Sequence, residues 1–115
     1  MQSETRPWGE FHILENSEFY KVKRIVVKTN QRLSYQSHSQ RKEFWTVIKG
    51  YAKVVLDGEE RLLTVGDSIE IPLGAKHRVQ NASEFHDLEF IEVQTGTYFG
   101  EDDIVRYSDD YGRVE

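Results

Sequence analysis

Four residues with oxygen or imidazole nitrogen donors stand near the middle of the sequence: Gln36, His38, Glu43 and His77. Gln36 and His38 are two residues apart, so a β-strand would place both side chains on one face. Glu43 opens the apolar run 44–48, and a hairpin could bring it opposite that pair. Two imidazoles, a carboxylate and an amide oxygen suit a divalent ion, with Zn as the first candidate and Mn, Co, Ni or Fe as alternatives. We therefore predict that these four residues hold one divalent metal ion inside a β-barrel.

The segments around these residues have the pattern of short strands separated by turns. Residues 19–28 alternate between two mixed sets of side chains, which leaves open the set that faces the core. Asp57-Gly58 is typical of a hairpin between two strand-like runs. We expect a polar arm at residues 1–7 and a short helix at 100–106, where acidic residues fill the first turn. The whole pattern predicts one all-β domain over residues 1–115, a sandwich or barrel.

Composition narrows the classes of function. The chain has 115 residues, and its formal charge of −5 argues against general nucleic-acid binding, which needs a clustered basic face. No run of about 18 apolar residues is present, so no membrane span is expected. The first residues lack the apolar core of a signal peptide, and the chain has no cysteine. Disulfides are thereby excluded, and a cytoplasmic location is expected.

Single histidines give little support to a metal site. His12 and His86 have no partners at ligand spacing, and we interpret them as surface or hydrogen-bonding residues. The joint spacing of the four central donors carries more information, because several residues must fall into place together.

Residues 30–81 resemble the two sequence motifs of the cupin superfamily. Asn30 stands at the first glycine of the first motif, followed by Gln36 and His38, Glu43 and the closing Gly50. The second motif is complete, with Gly66, Pro72, Gly74, His77 and Asn81. The resemblance implies a cupin double-stranded β-helix, or jelly-roll barrel, with a metal inside.

A narrower resemblance covers almost the whole chain. It is carried by Arg6-Pro7-Trp8-Gly9, residues 20–24, Gln36-x-His38 with Arg41, Glu43-x-Trp45, residues 72–78, residues 91–98 and Gly100–Arg106. These segments resemble the type II mannose-6-phosphate isomerase family, which includes the C-terminal isomerase part of bifunctional mannose-1-phosphate guanylyltransferases. In that family Gln is common at the first position of the His-x-His pair. The resemblance implies interconversion of mannose 6-phosphate and fructose 6-phosphate.

The resemblance also suggests residues for substrate binding and proton transfer. Arg41 and Arg106 are candidates for contact with the substrate or its phosphate, because Arg offers a fork of donors. Three residues are candidates for the proton-transfer base: Glu92, Asp103 and His86. Of these, we predict Glu92 as a catalytic residue. The expected partner is a sugar phosphate, with no nucleic acid or membrane, and small cupins of this kind are often homodimers.

Three positions depart from the family pattern. Ser39, Gln40 and Phe44 stand where the isomerase family commonly has histidines. The loss of a histidine beside the metal could remove a proton-transfer group or a substrate contact. Trp45 and Tyr98 could stack against a sugar, although aromatic residues in barrels mostly belong to the core.

Two other functions stay open at this point. The first is a non-catalytic, metal-containing cupin that binds a sugar. The second is another cupin activity, such as a dioxygenase or a nucleotide-sugar epimerase.

Overall fold

The computed structural model describes residues 2–113, and every regular element in that range is a strand. None of the described residues forms a helix that could cross a membrane. The strands are β1 Gln2–Arg6, β2 Gly9–Asn16, β3 Tyr20–Val27, β4 Tyr35–Ser37, β5 Arg41–Lys49, β6 Ala52–Leu56, β7 Glu59–Leu63, β8 Ser68–Ile71, β9 His77–Asn81, β10 Leu88–Gly96 and β11 Val105–Ser108.

The strands form two sheets with antiparallel pairing throughout. The larger sheet has the order β1-β2-β3-β10-β5-β8, and the smaller has the order β11-β4-β9-β6-β7. Strands that are distant in sequence are therefore neighbours, as β3, β10 and β5 are at the centre of the larger sheet. The predicted all-β jelly roll is confirmed.

The core lies between the two sheets and ends where polar residues begin to face inward. Alternation along each strand sends every second side chain inward, as the burial of Trp45, Val47, Val54 and Val79 shows. In β3 the same alternation buries Lys23, Ile25 and Val27, which settles the orientation left open by the sequence.

Two turns follow directly from the sequence signals. Asp57 and Gly58 join β6 to β7 with φ angles of 48° and 83°, as a two-residue hairpin turn requires. Asn30, at the position of the first cupin glycine, has φ of 60°, a region that Asn tolerates better than most residues.

Two expectations about the ends of the chain were wrong. Within the expected arm, Gln2–Arg6 form β1, which pairs with β2 along its whole length. The expected helix at 100–106 is a turn followed by the start of β11. Its acidic side chains bond to distant residues instead of to their own helix terminus: Glu101 contacts Lys23, and Asp103 contacts Ser39. Tertiary contacts thus override the local preference.

Candidate metal centre

A row of three residues crosses the smaller sheet at the site. Gln36 in β4 lies directly opposite His77 in β9 on one side and opposite Arg106 in β11 on the other. Residues opposite one another on antiparallel strands point to the same face. All three side chains accordingly line one internal cavity.

A second row faces this cavity from the larger sheet. Glu92 in β10 lies opposite Lys23 in β3 and opposite Trp45 in β5. Glu43 precedes Trp45 by two residues, so both point inward from the same strand. The two rows bring the polar side chains of both sheets into one space, which is why so many charged residues are buried here.

His38, Glu43 and His77 form a compact group that could hold a metal ion, with one ligand atom from each residue within 4.8 Å of the others. Glu43 Oε2 is 3.7 Å from His38 Nδ1, and Glu43 Oε1 is 3.9 Å from His77 Nε2. The predicted hairpin between the Gln36-x-His38 pair and Glu43 is wrong, because β4 and β5 belong to different sheets. The connection 38–40 crosses from one sheet to the other and brings the ligands together.

The hydrogen bond that His77 makes to the backbone favours metal binding at its other ring nitrogen. Its Nδ1 lies 3.0 Å from the carbonyl oxygen of Ala75, which can only accept, so the ring proton is on Nδ1 and the Nε2 lone pair faces Glu43. Burial lowers the pKa of His77 and keeps the imidazole neutral, the form that binds metals.

His38 is held differently. Its Nδ1 is buried without a hydrogen-bond partner in the described chain, whereas its Nε2 accepts from the Arg41 guanidinium at 3.0 Å. Burial and then the charge of Arg41 lower the pKa of His38 to about 3, so this imidazole is neutral too. A cation at Nδ1 would satisfy the unpaired atom once the ring proton moves to Nε2, and the Arg41 hydrogen bond to Nε2 would then be given up. The donor set therefore fits a divalent ion, with Gln36 beside it.

Glu92 is the other buried acid of the cavity. Its Oε1 accepts from the Trp45 indole N–H at 3.1 Å, and its Oε2 accepts from Gln94 Nε2 at 2.7 Å. The same indole N–H also reaches Glu43 Oε1 at 3.0 Å. Burial, followed by the nearby Glu43 charge, raises the pKa of Glu92 to about 7. Glu92 can therefore both take up and release a proton near neutral pH.

A segment that we call the strap, residues 97–104, closes one side of the cavity. The Glu101 carboxylate bridges Lys23 and Arg41, at 3.0 and 3.1 Å. Asp103 accepts hydrogen bonds from the Ser39 hydroxyl at 2.8 Å and from the Gln40 backbone N–H at 2.9 Å. The strap thus holds the connection that carries His38.

The structure separates the remaining predicted residues by position. Glu92 lines the cavity, whereas the other base candidates, Asp103 and His86, do not. Asp103 anchors the strap, and His86 is exposed on the loop after β9. Tyr98 is also outside the cavity and hydrogen-bonds Asp102. Phe44 points outward from β5, so its substitution for histidine leaves the cavity wall unchanged.

Sequence reasoning missed two residues of the site. Lys23 is only 2% exposed, its Nζ lies 4.1 Å from the centre of the Phe11 ring, and it pairs with Glu101. The signal was its position two residues before Ile25, in phase with the buried apolar positions of β3. Glu101 gave no such signal, because it reaches the cavity only through the path of the strap.

The fold and the cavity together define a cupin with a candidate metal centre. Among solved structures, an RmlC-like cupin from Shewanella frigidimarina matches with a TM-score of 0.72 and 20% sequence identity, over 88% of each chain. At this identity the likeness concerns the fold alone.

The sequence is more informative about the family. The family described as Mannose-6-phosphate isomerase C-terminal matches residues 1–109, and the chain belongs to it. The chain is 47% identical over 108 residues to a mannose-1-phosphate guanylyltransferase from Salmonella montevideo, which covers 94% of this chain and 23% of that protein. It is 48% identical over 109 residues to a mannose-1-phosphate guanylyltransferase from Escherichia coli strain K12, covering 95% and 23%. The chain thus spans about a quarter of the length of these relatives.

Proposed function

We propose that the protein is a metal-dependent isomerase that interconverts mannose 6-phosphate and fructose 6-phosphate. Membership of the isomerase family supports this proposal. The observation that carries it is the position of Glu92, a buried carboxyl that shares the Trp45 indole N–H with the candidate metal ligand Glu43. A proton-transfer group thereby stands beside a site for a Lewis acid.

The isomerisation moves one proton between C1 and C2 of the open-chain sugar. Glu92 takes this proton from one carbon and returns it to the other, for which a pKa near the working pH is suited. The hydrogen bonds from Trp45 and Gln94 fix the plane of its carboxylate. Lys23, the partner of Glu92 on the adjacent strand β3, adds positive charge next to Glu92.

His38, Glu43 and His77 would hold the metal, with Gln36 as a fourth donor. If bound there, a divalent ion would supply Lewis-acid chemistry, namely polarisation of a carbonyl oxygen and stabilisation of negative charge on it. Zinc is the predicted ion, with Mn, Co, Ni and Fe as alternatives. The sugar phosphate as ligand and the homodimer also stay predictions.

The direct test is turnover by the purified chain with mannose 6-phosphate and each of Zn, Mn, Co, Ni and Fe, with fructose 6-phosphate measured. Glu92→Gln keeps the shape of the side chain but removes the base, so kcat should fall by roughly 100-fold or more. Glu89→Gln, on the same strand but paired with Arg24, is the matched control and should retain activity.

The same experiment separates the alternatives. Absence of turnover with all five metals, together with measurable sugar binding, would contradict the isomerase and support a non-catalytic binding cupin. Full activity of Glu92→Gln would remove Glu92 from the mechanism. Consumption of oxygen in the presence of iron would instead indicate a dioxygenase.

A further inference from the structure

Three arginines from distant parts of the chain line the same cavity as the candidate metal ligands. Arg6 is the last residue of β1, Arg106 lies in β11, and Arg113 follows the final turn. Like charges gather at such a place only if something offsets their repulsion. An anion bound among the three arginines would offset this repulsion.

Arg106 shows the strongest sign of a missing partner. Its Nε is buried and has no hydrogen-bond partner among residues 2–113. Buried donors are nearly always satisfied in folded proteins. Burial, and then the charge of Arg113, lower the pKa of Arg106, with Arg6 acting in the same direction and Asp109 and Glu101 against it. An anion beside Arg106 would supply the acceptor and relieve this repulsion.

Arg6 and Arg113 each have N–H donors that their ion pairs do not use. Arg6 pairs with Glu4 at 2.9 Å, and Arg113 pairs with Asp109 through two of its nitrogens, each at 2.9 Å. A guanidinium has five N–H donors, so both pairs leave N–H groups for a further acceptor. The three arginines face the carboxylates of Glu4 and Asp109, and the third acid near Arg106, Glu101, is already bridged by Lys23 and Arg41. The cluster therefore keeps positive charge.

The other cations of the cavity are already engaged. Arg41 donates to Glu43 at 2.9 Å, to Glu101 at 3.1 Å and to His38 at 3.0 Å. Lys23 is paired with Glu101. Of the two predicted candidates for phosphate contact, Arg41 is therefore better placed to orient the metal ligands, and Arg106 is better placed to bind the phosphate.

The distance between the three arginines and the candidate metal ligands suits an open-chain sugar phosphate. Arg106, Gln36 and His77 stand side by side on three adjacent strands, so about 10 Å separates the backbones of the outer two. The interior cavity is about 90 Å³, smaller than the roughly 300–1,000 Å³ of typical small-molecule pockets. It has room for the reacting end of a substrate, and the other end must remain near the mouth.

We propose that Arg6, Arg106 and Arg113 form the site that holds the terminal phosphate monoester of the substrate. This assignment rests on the proposed function for the identity of the sugar, but the anion site itself does not. Both ends of the chain contribute to it, and the carbonyl end of the substrate then points toward His38, Glu43 and His77. The three arginines would make the protein selective for phosphorylated over neutral hexoses.

The test is equilibrium binding of three probes: inorganic phosphate, mannose 6-phosphate and mannose. The intact chain should bind both phosphates in competition with each other. Arg106→Gln should weaken both by roughly 10-fold or more, as expected for loss of a charge-assisted hydrogen bond, and leave mannose binding and zinc content unchanged. Arg6→Gln and Arg113→Gln should act in the same direction.

Arg61→Gln is the matched control, because Arg61 lies in β7 outside the cavity and has the same charge. Arg106→Lys covers the case of a poorly folded glutamine variant: it keeps the charge but loses the fork, so it should bind phosphate more weakly than the unmodified chain. Circular dichroism establishes that each variant is folded.

The possible results separate failure of the arginine anion site from failure of the proposed isomerase reaction. Phosphate binding that depends on Arg106 in a chain without isomerase activity would overturn the function and keep the site. Isomerase activity with an unchanged KM in Arg106→Gln would overturn the site and keep the function. Failure of the intact chain to bind inorganic phosphate, or an equal loss in Arg61→Gln, would also overturn the site.

Discussion

The indole N–H of Trp45 is a single donor that two buried carboxylates share. It lies 3.0 Å from Glu43 Oε1 and 3.1 Å from Glu92 Oε1, and both acids are almost fully buried. Trp45→Phe keeps an aromatic ring at this position but removes the donor. The two carboxylates would then face each other with no N–H between them. We expect metal affinity to fall, because Glu43 loses one of the two hydrogen bonds that orient it, the other being that of Arg41.

The size of the effect follows from the contacts. Hydrogen bonds to charged groups contribute about 1.5–3 kcal/mol, which corresponds to roughly 10- to 150-fold in an equilibrium constant. Loss of an outer partner of a metal ligand usually costs about 10- to 100-fold in affinity. The two ranges agree, so we expect Trp45→Phe to reduce zinc affinity by about 10- to 100-fold.

Competition with a chelator measures zinc affinity, and the visible spectrum of the cobalt-substituted protein reports the coordination. The control is Phe44→Leu, on the same strand but pointing to solvent. Zinc affinity within about threefold of the unmodified value in folded Trp45→Phe would refute the reasoning. Repeating the change in a Glu92→Gln background shows whether the effect acts through Glu43: in that case the loss should persist.

Two predictions concern stability. Burial alone would raise the pKa of Glu101, but the charges of Lys23 and Arg41 outweigh it and lower the pKa to about 2. The ionised carboxylate therefore stabilises the fold above its unfolded pKa of about 4.5 and loses this contribution as the pH falls toward 2. Because the side chain is 43% exposed, we reduce the expected contribution to about 1 kcal/mol. Urea unfolding should show Glu101→Gln less stable by this amount at pH 7 and by about half of it or less at pH 3, and an equal difference at both pH values would contradict the ion pairs. Asn81, from the second motif, makes three side-chain hydrogen bonds to backbone groups. Asn81→Ala should therefore cost about 3 kcal/mol in urea unfolding, and the exposed control Asn16→Ala less than about 0.5 kcal/mol; equal losses would show that these bonds contribute little.

Much of the fold and the centre of the site could be inferred from the sequence. Strand alternation and the Asp57-Gly58 turn act between neighbours in the chain, so they can be recognised without the fold. The motif residues His38, Glu43 and His77 were predicted together, and they meet in the cavity. Their spacing is informative because the strands and turns between them fix where each one points.

The rest depended on contacts between segments that are far apart. β1 forms because β2 offers it an open edge, and the strap takes its path because Lys23 and Ser39 bind its acids. Alternation alone could not say which face of β3 is buried, so the role of Lys23 was hidden. Only the pairing of β11 with β4 placed Arg106 beside Gln36. The sequence by itself determined the candidate metal ligands, through local spacing. The tertiary structure decided which charges surround them, because that depends on how the strands are paired.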